Sequence, residues 1–139
     1  VTITIRMLGR DDAQVLDSVA ADVFDNAIDA ARTREFLDDV RHHMAVALDG
    51  TLVIGMASAV HYVHPDKGPE LWINEVGVAP AYRGRRIAGR LIEALFERGR
   101  EVGCTEAWLG TEPENEAARK AYRTVGGKEQ GMVYITFEL

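Results

Sequence analysis

Glu75 and the arginines at positions 83, 85, 86 and 90 are the residues whose types and spacing point most directly to chemistry. Arginines this close together gather charge-assisted donors suited to phosphate oxygens. They are set in Arg83-Gly84-Arg85-Arg86-Ile87-Ala88-Gly89, which runs straight into an apolar-periodic segment. A helix beginning there offers free backbone N–H groups and the positive end of its dipole to an anion. Glu75 opens the preceding apolar stretch Glu75-Val76-Gly77-Val78-Ala79-Pro80, so a carboxylate stands beside whatever the arginines anchor. Other chemistries are poorly supported. No Gly-x-Gly-x-x-Gly follows an early strand and no Gly-Lys-Ser/Thr occurs, against dinucleotide and P-loop sites. His42, His43, His61 and His64 lack metal-ligand spacing, and Cys104 has no neighbour to activate a thiolate, so it reads as a small buried apolar residue.

The elements that must position these groups follow from periodicity. Residues 2–7 alternate as a half-buried strand. Asp11 with Gln14 forms a capping-box pattern, and Val15, Leu16, Val19, Ala20 and Val23 recur at helical spacing, predicting a first helix. A second helix is predicted over 33–42. Residues 44–48 and 51–62 read as strands joined by the hairpin signal Asp49-Gly50, and a loop at 64–69 leads to a strand at 70–79. A helix over about 84–102 and a strand at 105–111 follow. Asn115 stands at an N-cap position before Ala118, Ala121, Tyr122 and Val125, and Gly126-Gly127 stops that helix. Met132 to Leu139 alternate as a closing strand. The order βααβββαβαβ is mixed α/β, with two strand–helix–strand crossovers in the second half.

At 139 residues the chain fits one domain spanning 1–139, with 47% apolar and 27% charged residues. The net charge of −6 argues against nucleic-acid binding. No apolar run is long enough to span a bilayer, and no secretory leader is visible. A single cysteine makes a cytoplasmic home the default expectation. Six of the thirteen arginines lie between 83 and 100, while Asp22, Asp25, Asp29, Glu35, Asp38 and Asp39 crowd the first third. A basic pocket on an acidic body predicts an anionic ligand at one site and a cationic one nearby.

In element order and motifs the chain resembles the GCN5-related N-acetyltransferases (GNAT), which move an acetyl group from acetyl-CoA to an amine. The family's phosphate loop, Arg/Gln-x-x-Gly-x-Gly/Ala, corresponds to Arg83-Gly84-Arg85-Arg86-Ile87-Ala88. The strand Val76-Gly77-Val78 with Pro80, the later Asn115, and Tyr122 before Gly126-Gly127 also match in order and spacing. One departure is Arg86, where the family usually has glycine. A helix-start residue needs no positive φ, so Arg86 is expected to adopt an ordinary backbone and add its charge. Within the superfamily the chain looks most like aminoglycoside 3-N-acetyltransferases. That closer likeness rests on Asp22-Val23-Phe24-Asp25, the run Leu71-Trp72-Ile73-Asn74-Glu75, Glu112 beyond Ala107-Trp108-Leu109-Gly110, and the abbreviated C-terminal end.

The resemblance implies a central mixed, largely antiparallel sheet flanked by about four helices, with a splayed pair of strands holding acetyl-CoA. Val76, Gly77 and Val78 would contact its pantetheine arm, and Arg83, Gly84, Arg85, Arg86, Ile87, Ala88 and Gly89 its pyrophosphate. Asn115 would cap its helix and touch the same arm. Glu75 would take a proton from the acceptor amine, directly or through water, a backbone N–H near Val76 would stabilise the oxyanion, and Tyr122 would assist the departing thiolate. Glu112 would share the base role or hold the acceptor. Asp22 and Asp25, sharing a helix face, would help form an anionic wall for a polycationic substrate. Plainer roles are an arginine ion pair for Glu75, a core aromatic for Tyr122, and solvated acids for Asp22, Asp25 and Glu112.

The expected acceptor is thus a cationic small-molecule amine, foremost the 3-amino group of an aminoglycoside antibiotic, whose acetylation would confer resistance. CoA would be the second product, and no metal is expected. Alternatives are another amine (a polyamine, an amino acid or a protein N-terminus) or a non-catalytic acyl-CoA sensor. The final strand leaves an edge that permits a homodimer without requiring one.

Overall fold

A computed structural model describes residues 2–139. Its sheet has the order β1-β2-β3-β4-β5, comprising β1 (Ile3–Met7), β2 (His42–Asp49), β3 (Leu52–His64), β4 (Lys67–Val78) and β5 (Ala107–Trp108). The first four strands pair antiparallel and β5 joins β4 in parallel. Gly50 makes the β2–β3 turn at φ +62°, as the Asp-Gly signal predicts. The predicted loop at 64–69 is instead part of a tight hairpin in which His64 faces Lys67 across Pro65-Asp66.

Three α-helices complete the chain: α1 (Ala30–Asp38), α2 (Ile87–Glu101) and α3 (Glu116–Thr124). Leu91, Ile92 and Leu95 of α2 are buried in the core, with Leu91 over Gly55 of β3 and Gly99 of the same helix against Leu71 of β4. Small residues on β3 allow this approach. A Cβ at Gly55 would stand 3.3 Å from Leu91 and from the Gly77 carbonyl. The inner strand β2 is buried from His43 to Leu48, packed by both α2 and α1. Among the described residues no helix is long and apolar enough to cross a membrane.

The predicted first helix does not form. Residues 13–17 make only a 3-10 turn, since the Asp12 carboxylate accepts from the Gly9 N–H and from Arg6 rather than capping a helix. Residues 18–20 then lie beside β3, exchanging backbone bonds with Val53 at 2.8 and 2.9 Å, which commits them to extended geometry. Helix α1 begins three residues earlier than expected, because Asp29 accepts the Arg32 N–H at 2.8 Å. It ends where Asp39 turns to bind Arg41. Strand β5 is shorter than the predicted 105–111, and residues 132–139 join no strand, so the second crossover is not closed. Helix α3 forms as the Asn115 cap and the Gly126-Gly127 stop require.

Candidate active site

The position of Glu75 depends on one extra residue. Ser58 pairs with Glu75 and its neighbour Ala59 pairs with Ile73, so Asn74 is a β-bulge on β4. Side chains alternate faces along a strand, so an inserted residue reverses the parity of everything beyond it. Before the bulge, Leu71 faces α2, lying 3.1 Å from where a Cβ on Gly99 would be. After it, Val78 pairs with the α2-facing Gly55, and Val76 with Ala57, so these valines face α2. Glu75 and Gly77 are thereby turned to the opposite face. A Cβ on Gly77 would come within 2.3 Å of the Val23 carbonyl, so the absence of a side chain lets the chain before α1 lie directly on β4.

That crossing segment builds a cleft over Glu75. The cleft, about 250 Å³, is lined by Phe24, Asp25, Ile28, Phe36, Met44 and Glu75. It adjoins a larger hollow of about 730 Å³ reaching Leu16, Ala20, Asp22 and Arg34. Burial lifts the Glu75 carboxyl above its usual range, and the adjacent Asp25 carboxyl adds both repulsion and a shared hydrogen bond. The paired acids do not match the expected helical arrangement. Asp22 sits at φ +66° in no helix and lines the larger hollow, whereas Asp25 alone meets Glu75. Glu112 does not line this cleft. It lies exposed before α3, and its carbonyl accepts the Asn115 N–H at 3.0 Å.

On the other side of Glu75 the sheet opens. Strands β4 and β5 pair only at Leu71–Ala107 and Trp72–Trp108, then part, leaving β4 from the bulge onward without a partner on that side. At the end of this gap stands the arginine loop. No side chain caps α2, so the N–H groups of its first turn are free for a ligand. Gly84 at φ +77° and Arg86 at φ +60° bracket Arg85, a left-handed pattern that aims successive N–H groups into one concavity. The expected ordinary backbone at Arg86 is therefore corrected: it adopts the left-handed geometry glycine favours. Nothing lies within 4 Å of a Cβ built on Gly84, so the concavity is open.

The arginines divide their work. Arg85 lies over the Tyr82 ring at 5.3 Å, while the Tyr82 hydroxyl donates to Asp49. Arg83 donates to the Val78 carbonyl at 3.2 Å, tying the loop to β4. Arg90 leaves the group and donates to the Ile3 carbonyl at 3.1 Å. Ile87 is buried in the core, and Gly89 admits α3, since its Cβ would stand 3.3 Å from Val125; for these two the structure shows packing. Ala88 stays half-exposed in the first turn.

Helix α3 carries two further polar groups, Asn115 and Tyr122. The Asn115 side-chain oxygen accepts the Ala118 N–H at 3.1 Å, leaving its amide NH₂ for a ligand. Tyr122 is half-buried, and burial raises the pKa of its phenol, keeping it protonated. Among the described residues no group of three or more His, Cys, Asp or Glu side chains is placed to hold a metal. Three features escaped the sequence reading: the Asn74 bulge, the Val23–Gly77 contact, and the apolar lining from Phe24, Ile28, Phe36 and Met44. The bulge alone leaves a local trace. Apolar residues fall on odd positions at Leu71 and Ile73 and on even ones at Val76 and Val78, a change of parity no regular strand allows.

A parted strand pair ending at an uncapped helix start fits a long ligand with an apolar arm and a phosphate group, held beside a carboxylate pair. That is the architecture of an acyl-CoA-dependent transferase. The profile of the acetyltransferase (GNAT) family matches residues 13–126, and the chain belongs to that family. It is an N-acetyltransferase that uses acetyl-CoA. It is 34% identical over 135 residues to the N-alpha-acetyltransferase RimI of Mycobacterium tuberculosis, covering 94% of this chain and 81% of that protein. It is 32% identical over 93 residues to the aminoglycoside N(6')-acetyltransferase type 1 of Salmonella typhimurium, covering 63% of this chain and 64% of that one. The fold matches that of the aminoglycoside N-acetyltransferase AAC(6')-Iy in complex with CoA, with a TM-score of 0.81 and 24% identity, covering 99% and 95% of the two chains.

Proposed function

We propose that the acceptor is an amine of an aminoglycoside, and that Glu75 and Asp25 receive it. The observation carrying this reading is the facing carboxyl pair in a partly desolvated cleft, which an ammonium group would bridge. The Salmonella relative's name supports the substrate class. The sequence pointed to the 3-amino group. The aminoglycoside relatives are N(6′)-acetyltransferases, and the proposal takes that position.

Acetyl-CoA supplies an acetyl thioester open to attack by a neutral amine. Gly84 to Gly89 with Arg85 and Arg86 would hold its pyrophosphate, and the open edge of Val76 to Val78 with Asn115 its pantetheine arm. Glu75 takes a proton from the acceptor ammonium, directly or through one water. Its raised pKa brings it closer to the amine it must deprotonate. Asp25 keeps the remaining charge on the acceptor oriented. A backbone N–H near Val76 would stabilise the oxyanion that forms on the thioester carbonyl. Tyr122, kept protonated by burial, would donate to the departing thiolate.

The test is thiol release from acetyl-CoA over a panel of aminoglycosides, with NMR locating the acetylated nitrogen. Turnover on kanamycin-type substrates bearing a 6′-amine, lost when that amine is absent, is the expected result. The second reading is a protein N-terminus as acceptor, favoured by the higher identity and wider coverage of the RimI relative. Peptides with free N-termini in the same assay distinguish the two. Turnover on peptides with silence on every aminoglycoside would overturn the first reading.

A further inference from the structure

The loop from Arg83 to Gly89 has little internal support. Among the described residues, the N–H groups of Gly84 to Gly89 donate no backbone hydrogen bond. Gly84 at φ +77° and Arg86 at φ +60° nevertheless hold left-handed geometry, which is costly at Arg86. What fixes this shape is the fastening of the two ends, and both reach the same rung of the sheet. Ile3 of β1 faces Asp49, the last residue of β2 before the Gly50 turn. Ahead of the loop, the Tyr82 hydroxyl donates to the Asp49 carboxylate, across 33 residues of sequence. Behind it, Arg90 in the first turn of α2 donates to the Ile3 carbonyl at 3.1 Å. The Tyr82 N–H also closes its own turn on the Ala79 carbonyl at 2.9 Å, and the Ala79 N–H donates to the Ile54 carbonyl of β3 at 2.8 Å.

Asp49 thus has a use that its place in a hairpin does not explain. Gly50 supplies the positive φ of that turn, while the Asp49 carboxylate goes to Tyr82. The bond to Asp49, followed by burial, lifts the Tyr82 phenol above its usual pKa, so the donor keeps its proton. The ring carries a second contact, the Arg85 guanidinium at 5.3 Å from its centroid. A phenol that donates to a carboxylate is polarised toward its ring, which strengthens the attraction for a cation on its face. Carboxylate, phenol and guanidinium form one chain that starts on β2 and ends in the loop.

We propose that Asp49 and Tyr82 are positioning residues for acetyl-CoA: their bond sets the loop in its phosphate-receiving shape and holds Arg85 beside it. This rests on the reading that residues 83–89 hold the cofactor's pyrophosphate, and adds that the affinity of that site is fixed from outside the loop. Pre-organised donors bind without first being ordered, so loosening the Tyr82 end weakens binding even though every loop residue is still present.

Calorimetric titration of the full chain with CoA tests this without any acceptor. Tyr82→Phe keeps the ring under Arg85 and removes only the hydroxyl; it should raise the Kd for CoA about five- to ten-fold. Asp49→Ala should do the same, and the double variant should lose no more than either alone, because both changes break one bond. Additive losses, or an unchanged Kd in Tyr82→Phe, would overturn the proposal. Arg85→Ala keeps two kinds of failure apart. If it weakens CoA binding while Tyr82→Phe does not, the loop holds the pyrophosphate and the positioning role is refuted. If neither variant changes the Kd, the loop reading falls and the proposal with it. In amide proton–nitrogen correlation spectra, Tyr82→Phe should move the resonances of residues 83–89 and leave those of Leu71 to Ile73 on β4 in place. Shifts spread through the sheet would mean a general structural role and would refute positioning. Should Asp49→Ala not fold, Tyr82→Phe, which removes a single oxygen, still decides.

Discussion

At Glu75 the proposed role as base and the stability of the fold oppose each other. Its pKa is raised in the folded protein from 4.5, first by burial and then by Asp25. The folded state thus binds this proton more tightly than the unfolded chain does. The associated stability is full below the unfolded pKa and is lost as pH rises through the higher folded value. At neutral pH the ionised group is a liability to the fold. Glu75→Gln is therefore expected to raise the melting temperature at pH 8 while lowering kcat by about 10²-fold or more, as removal of a general base does. The acid limb of kcat against pH should move down in Asp25→Asn, though not to an ordinary carboxylate value, because burial is the larger cause and survives. Arg86 presents a second local conflict. A non-glycine residue at φ +60° costs about 1–2 kcal/mol, offset by the greater freedom glycine has when unfolded. Arg86→Gly should stabilise the protein by about 0.5–1 kcal/mol in urea unfolding. It should also raise the KM for acetyl-CoA several-fold, since a cation leaves the loop. Unchanged KM would remove Arg86 from cofactor binding.

Strand β4 shows how an element can carry function without advertising it. Its bulge at Asn74 turns Glu75 to the cleft under the chain before α1 and leaves Val76 and Val78 half-buried on the α2 face, while the pairing with β5 ends two residues earlier. Gly77 is the hinge of that arrangement, because Val23 lies directly on it. Gly77→Ala forces a Cβ to within 2.3 Å of the Val23 carbonyl, so backbone must move. Overpacking of this kind costs about 1–3 kcal/mol. The displaced Val23–Asp25 segment should also raise the acceptor KM more than that for acetyl-CoA. A stable variant with unaltered KM values would show that the contact does not shape the cleft. The elements proposed to hold the cofactor were legible in the sequence because they are local: strand, Pro80, arginine loop and helix follow one another, as do the Asn115 cap and Tyr122. The cleft proposed for the acceptor was not, because it is made by a crossing. Val15, Val19 and Val23 keep helical spacing, yet Val53 draws residues 18–20 into extended pairing. No periodicity within 13–29 encodes a competition with a strand more than thirty residues away. Glu112 failed for the opposite reason: its strand-end position suggested a shared opening, but β5 stops at Trp108 and the carboxylate stays in solvent.

Over the whole molecule, charge separates the regions proposed for the two ligands. The body carries −6, with a local excess of cations at the α2 entrance and of acids around the cleft above Glu75. Such fields raise the local concentration of an oppositely charged ligand, and they weaken as salt shortens the Debye length from roughly 30 Å at 0.01 M to about 10 Å at 0.1 M. The dependence grows with ligand charge, which provides a means to tell acceptor classes apart. An aminoglycoside carries several ammonium groups, so an acidic cleft built for it should lose affinity steeply between low and physiological salt. A peptide offering one N-terminal amine should lose little. Measured at saturating acetyl-CoA, the acceptor KM is expected to rise about ten-fold for a polycation across that range and less than two-fold for a monoamine peptide. Asp25→Asn should flatten the first slope and leave the second almost unchanged, because it removes one carboxylate of the pair that holds the charged acceptor. If both acceptors respond equally, the acids of the first third serve solubility alone, and the preference for a polycation loses its electrostatic basis.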